Sequence, residues 1–180
     1  IGLKDYSSNN KSNISNIDSQ NYRIFGSINF LDSEVVMNNV VFEKINSEDA
    51  LNIINSKFDI ENIYFDDTSS DAIDVDFGVG KIKNATFNNI NDDAIDFSGS
   101  IVALNNLKMN IIGDKMVSIG EDSTVTIINL NGNKSKIGIA SKDGSVTNLN
   151  NIVISNSEIG LAAYKKKNEY SGSTITAKNI

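Results

Sequence analysis

Three carboxylates in the middle of the chain, Asp74, Asp76 and Asp96, have a spacing that could do chemistry. They belong to two near-copies of one phrase, Ser70-Asp71-Ala72-Ile73-Asp74-Val75-Asp76-Phe77 and Asp92-Asp93-Ala94-Ile95-Asp96-Phe97-Ser98-Gly99. If the copies stack as parallel strands, Asp74 and Asp96 lie ~4.8 Å apart, with Asp76 ~7 Å along the strand. Like charges that close repel. A hard cation with oxygen ligands relieves them, and Ca²⁺ suits because it accepts several carboxylates in flexible geometry. The competing reading is a solvated acidic face, screened by salt or paired with lysines. Asp71 and Asp93 fit a bend where Asp accepts backbone N–H bonds, and Asp49 continues their column.

Polarity changes sign further on. One outward column reads Asn29, Asn52, Asp74, Asp96, Ser118, Ala140, Ala162, and the next reads Leu31, Ile54, Asp76, Ser98, Gly120, Lys142, Tyr164. Lys115, Lys142, Lys165, Lys166 and Lys167 crowd the later part near Tyr164, two repeats and ~10 Å from the carboxylates. An acidic end and a basic, Tyr-bearing end on one face form a candidate groove for an acidic polysaccharide. Its contacts would come from Asp74, Asp96, Ser118, Lys142, Tyr164 and Lys165. The plainer alternative is interspersed surface charge, with ion pairs worth under ~1 kcal/mol each. Lys142 or Lys115 could serve as a catalytic base only where burial lowers its pKa toward neutrality.

A strict repeat must position these groups. The apolar residue in the middle of each phrase recurs at Ile28, Leu51, Ile73, Ile95, Val117, Ile139 and Leu161, in steps of 23, 22, 22, 22, 22 and 22. An Asn before an apolar residue keeps the same time at Asn39, Asn62, Asn84, Asn106, Asn129 and Asn151. Two markers with one period mean one unit stacked repeatedly, each burying its neighbour's apolar face. Turn pairs recur at Asp32-Ser33, Asn55-Ser56, Gly99-Ser100, Asp122-Ser123, Gly144-Ser145 and Gly172-Ser173, with Gly78-Val79 as a variant. Asn, Asp and Gly tolerate positive φ, so each marks a corner. Apolar residues three apart across each marker Asn, such as Met37 and Val40 or Ile60 and Ile63, require a second bend there. Phe42, Phe65, Phe87, Met109 and Ile154 supply another inward column. Three strands and three bends per unit predict an all-β chain: a single-stranded parallel β-helix of six to seven coils over 22–180. Residues 1–21 read as an irregular leading segment or an imperfect first coil.

Composition narrows the function. The chain has no Cys, which removes disulfides and thiolate metal sites, and no His, which removes the commonest neutral-pH acid–base group. A net charge of -7 with one Arg, Arg23, disfavours nucleic acid. No apolar run approaches the ~18 residues of a membrane span. Complete absence of Pro suits interior strands, which need every N–H. The chain opens at Ile1 without Met, suggesting a fragment or processed chain, and 175–180 starts a coil without a polar cap. More coils or another chain stacked end to end are therefore expected.

The coil length, an internal Asn column, and the series from Asp-Ala-Ile-Asp to Gly160-Leu161-Ala162-Ala163-Tyr164-Lys165-Lys166 resemble the right-handed β-helix proteins of the pectate-lyase-like superfamily. More narrowly they resemble bacterial surface or secreted β-helix domains. The resemblance covers 22–180 and implies the fold, a right-handed single-stranded parallel β-helix, and an extracellular or cell-surface location. Activity is not implied, because the superfamily holds lyases, hydrolases, epimerases, adhesins and fibres. The polygalacturonase pattern needs a His that this chain lacks. In the pectate-lyase-like scheme an Arg takes the proton beside Ca²⁺, and Arg23 lies three coils before Asp74 and Asp96. The coil from Asn151 to Asn179 takes 28 residues, and its extra segment 165–171 is a candidate binding loop. Three functions remain open: a non-catalytic scaffold binding carbohydrate or another macromolecule along one sheet face, a Ca²⁺-assisted uronate lyase with a Lys base, and a segment of a filament.

Overall fold

The computed structural model describes residues 2–4 and 25–180. Most of the leading segment, together with Tyr22, Arg23 and Ile24, therefore lies outside the described residues. The first strands are β1 (Gly2–Lys4), β2 (Gly26–Leu31), β3 (Glu34–Ile45), β4 (Asp49–Ile54) and β5 (Lys57–Thr68). Next come β6 (Asp71–Asp76), β7 (Val79–Ile90), β8 (Ile95–Ser98), β9 (Ile101–Ile112) and β10 (Lys115–Gly120). The last are β11 (Thr124–Asn133), β12 (Ile137–Lys142), β13 (Val146–Ser155), β14 (Ile159–Tyr164) and β15 (Thr174–Lys178).

Odd and even strands form two separate parallel sheets, with order β1-β3-β5-β7-β9-β11-β13-β15 in one and β14-β12-β10-β8-β6-β4-β2 in the other. The chain is a parallel β-solenoid of about six turns with about 22 residues per turn, and no helix occurs among the described residues. Register follows the repeat: Ile28 pairs with Leu51, Leu51 with Ile73, Ile73 with Ile95 and Val117 with Ile139.

Three files of left-handed residues turn each coil. Asp32, Asn55, Phe77, Gly99, Asp122 and Gly144 make the first, with φ between 45° and 79°. Asn39 to Asn151 make the second, and Lys44, Asp67, Asn89, Ile111, Lys134 and Asn156 the third. The expected second and third strands are continuous through the Asn bend, so each coil shows one long and one short strand rather than three. Hydrogen bonding carries through because a single αL residue turns the chain without ending the ladder on either side.

Each Asn amide donates to the coil before it: Asn84 to Asn62 at 3.1 Å, Asn106 to Asn84 at 3.0 Å, Asn129 to Asn106 at 2.9 Å and Asn151 to Asn129 at 2.7 Å. This file was expected inside. It lies at the surface, because the flanking apolar residues, such as Leu104 and Leu107, take the inward positions. The corner variant is also corrected. Phe77, not Gly78, has the positive φ, and Gly78 stands in the serine file, where a Cβ would meet Val75 at 2.4 Å.

Serine explains the corners. Ser56, Ser100, Ser123 and Ser145 are buried, and each hydroxyl accepts an amide N–H from the coil before. Ser123, for example, accepts from Ser100 N at 2.9 Å and donates to Gly120 O at 2.6 Å. The core between the sheets is apolar. Phe42, Phe65 and Phe87 stack with ring centroids 4.5 Å and 5.2 Å apart. Met109 continues that file, and Gly132 then interrupts it. A Cβ at Gly132 would lie 2.2 Å from the Met116 sulfur, so Met116 of the opposite sheet fills the gap. Met37 and Val40 in the first coil are only half-buried.

Ile111 holds φ at 58° in a file otherwise made of Asn, Asp and Lys. A β-branched residue there costs roughly 1–2 kcal/mol of backbone strain. Ile111→Asn should relieve it and add a rung beside Asn88 and Asn110. A thermal melt is expected to show Tm raised by about 2–4 °C, the equivalent of roughly 1 kcal/mol in a domain of this size.

Candidate functional site

The outward file of the short-strand sheet has the predicted membership. Asn29 pairs with Asn52, Asn52 with Asp74, Asp74 with Asp96, Asp96 with Ser118, Ser118 with Ala140 and Ala140 with Ala162. A cavity of about 570 Å³ opens over its acidic half, lined by Asn52, Asp49, Asp71, Asp74, Asp76 and Asp96 among others. Two exposed rings, Phe25 and Phe77, flank it. Sequence reasoning missed both; the signal for Phe77 was an aromatic where the other corners carry Asn, Asp or Gly.

Charge is crowded here. Burial first, then the charges of Asp76, Asp49, Asp96 and Asp71, push Asp74 up to about 9. Burial likewise lifts Asp71 to about 8, against a hydrogen bond from the Asp93 amide, and Asp93 to about 6, against the Lys115 charge. Asp49 and Asp76 are raised for the same first reason. Among the described residues no Lys or Arg stands within ion-pair distance of Asp49, Asp71, Asp74 or Asp76.

Asp71 and Asp93 also carry the corner role expected of them. Asp71 Oδ1 accepts from Asp93 N at 2.9 Å, and Asp93 Oδ1 from Lys115 N at 2.8 Å. Asp49 departs from that pattern and accepts from Asn52 Nδ2 at 3.0 Å. Two trios bring carboxylate oxygens within 4.8 Å of one another, Asp71/Asp93/Asp96 and Asp92/Asp93/Asp114. Asp96 of the predicted metal set is in one; Asp74 and Asp76 are in neither. Both trios share Asp93, and its carboxylate already faces the Lys115 ammonium at 3.3 Å.

The basic half is closed rather than open. Ser118 is fully buried and Lys142 is 7% exposed. Lys142 lies two coils from Asp96, as expected, but its side chain extends back so that Nζ stands 3.9 Å from Asp96 Oδ1, not ~10 Å. The stem passes over Gly120, where a Cβ would lie 3.4 Å from Lys142 Cε, in contact with it. Lys115 is clamped between Asp93 and Asp114. Burial pulls its pKa down, but the hydrogen bonds and charges of Asp114 and Asp93 outweigh this and raise it. A general base needs the opposite shift. Tyr164 is half-buried with its pKa raised by burial, and Lys165 is exposed.

Segment 165–171 folds back against the preceding coil. Asp143 Oδ1 accepts from Lys166 N at 2.6 Å and Lys167 N at 2.7 Å, and Gly144 N donates to Ser171 O at 3.0 Å. Lys167 Nζ reaches Glu121 at 2.5 Å. A second and larger cavity, about 630 Å³, follows the Asn bend. Its amides are already bonded to one another, whereas the acidic cavity holds groups whose bonding and charge are unanswered, so the chemistry lies with the smaller one.

No protein-family model matches this sequence, and no curated protein matches it. Fold and site define a parallel β-solenoid with an acidic, aromatic-flanked cavity on its short-strand sheet.

Two outcomes follow. A carboxylate with a raised folded pKa gives stability that is full below its unfolded value and lost as pH rises through the folded one. For Asp93, Asp71 and Asp74 that loss is complete at about 6, 8 and 9. Melts taken from mildly acidic to alkaline pH should show Tm falling, and Asp74→Asn should flatten the fall and melt higher at the alkaline end. Asp143→Ala removes two hydrogen bonds to a carboxylate, of about 1.5–3 kcal/mol each before compensation. It should lower Tm by at least roughly 6 °C and speed tryptic cleavage at Lys165, Lys166 and Lys167, read by mass spectrometry.

Proposed function

We propose that this protein is a non-catalytic β-solenoid scaffold, extracellular or on a cell surface, that binds carbohydrate along its short-strand sheet. The observation that carries the reading is the acidic cavity between Phe25 and Phe77. Sugars bind through two kinds of contact: hydroxyl donors to fixed acceptors, and C–H faces laid on aromatic rings. Carboxylates fixed on a sheet supply the first with little reorganisation, and two exposed rings supply the second. The resemblance to pectate-lyase-like β-helices in coil length agrees with the proposed location.

A lyase reading has less support. Of its two candidate bases, Lys115 is held in its charged form by Asp93 and Asp114, and the Lys142 ammonium is directed at Asp96. Ca²⁺ at either tight trio would share Asp93 with the Lys115 ammonium. A uronate would bring further negative charge to carboxylates that already repel one another.

Phe77→Gly tests the binding reading without harming the corner, because glycine suits the φ of 54° held there. On a panel of immobilised polysaccharides, the wild type should retain at least one, and Phe77→Gly should bind it about tenfold more weakly with Tm unchanged or raised. Equal binding by the two proteins, or no binding by the wild type, overturns the proposal.

A further inference from the structure

Where Lys142 meets Asp96, we propose that the chain forms its own cross-link: an amide between Lys142 Nζ and Asp96 Cγ that ties β12 to β8 across β10, with loss of one water. The state of the pair carries this. Lys142 is 7% exposed, and among the described residues Asp96 is its only ion-pair partner. Their separation of 3.9 Å is too long for a hydrogen bond, and Asp96 Oδ1 is buried with no donor at all. Ser118, next in the Asp96 file, is fully buried with its own hydroxyl unmatched, so it gives Asp96 nothing. A buried ion pair is stable only when hydrogen bonds answer both charges. Lys115 meets that condition through Asp93 and Asp114, and Lys142 does not.

Condensation replaces two buried charges by one neutral amide, so a site that excludes water favours a product that bulk water would oppose. The step balances within the pair. A proton passes from the Lys142 ammonium to the Asp96 carboxylate, giving an amine and an acid, and the Nζ lone pair then attacks Cγ. The tetrahedral carbon expels its hydroxyl, which takes a second proton from the nitrogen and leaves as water. No oxidant, reductant or other reagent enters. Attack needs the two atoms about 3–3.5 Å apart, a distance that rotation about the terminal bonds of the lysine supplies. Asp74 flanks Asp96 in register on the side away from Ser118. Burial pushes Asp74 up to about 9, so at neutral pH it holds a proton to donate to the Asp96 oxygen that becomes negative during attack. The bond closes the chain between 96 and 142 and staples three successive short strands.

Intact-mass spectrometry of the purified chain tests this. The wild type should be lighter than its sequence mass by one water, whereas Lys142→Arg, which keeps the charge but cannot condense, and Asp96→Ala should each have full mass. A tryptic digest of the wild type should yield a branched peptide joining 84–108 to 137–165, because a bonded Lys142 is no longer cleaved. Asp74→Ala should keep a full-mass fraction at a time when the wild type has none. By closing a long loop, the bond should hold the wild-type Tm roughly 8–16 °C above that of Lys142→Arg. A folded wild type at full mass overturns the proposal. So does a missing water that persists in Lys142→Arg and Asp96→Ala, or one that the digest traces to a succinimide at Asp143-Gly144 in a linear 143–165 peptide.

Discussion

In-register parallel pairing is the constraint from which the rest follows. Every side chain has its own counterpart ~4.8 Å above and below it. Residues that attract their own kind gain from this arrangement. Asn is donor and acceptor at once, so it forms a file, as do serine hydroxyls at the corners and phenylalanine rings in the core. Carboxylates cannot satisfy themselves in this way. Repeated on one face, they are left with shared protons, imported cations or a ligand. The acidic cavity is the place where the repeat does not close on itself.

Two local devices limit that conflict. Both lie on the late-coil side, where Lys115 sits between Asp93 and Asp114 and Lys142 passes Gly120 to reach Asp96. Both ammonium groups serve carboxylates at the margin. Those in the middle, Asp71 and Asp74, keep their raised pKa. What distinguishes the cavity from ordinary acidic surface is therefore partial neutralisation that stops short of its centre.

The fold was legible in the sequence because its signal is arithmetic. A constant step of 22 or 23 puts Ile73 on Ile95 and Asp74 on Asp96 whatever the details of the turns. Corner residues were readable for the same reason, as Asn, Asp and Gly announce positive φ. Features that depend on side-chain length or on exceptions to the repeat were not readable. The reach of Lys142 depends on the length of its side chain, which lets Nζ arrive at Asp96 from two coils away. Phe77 was hidden by assigning its corner to the neighbouring glycine, and the second amide file through Asn88, Asn110 and Asn133 was overlooked because Asp66 and Ser155 interrupt its spelling at the ends. The surface placement of the marker Asn file followed from inward neighbours that had been identified correctly.

The amide files have a sense of travel. Asn84, Asn106, Asn129 and Asn151 each point an N–H toward the earlier coil and a carbonyl toward the later one, and the second file runs the same way. Aligned side-chain dipoles add, whereas backbone dipoles in a sheet largely cancel. The amide files are thus electrically polar along the rod, with their positive ends toward the early coils where the carboxylates gather and their negative ends toward the late ones. Front and back are unlike surfaces, and a file of this kind can be prolonged only nose to tail.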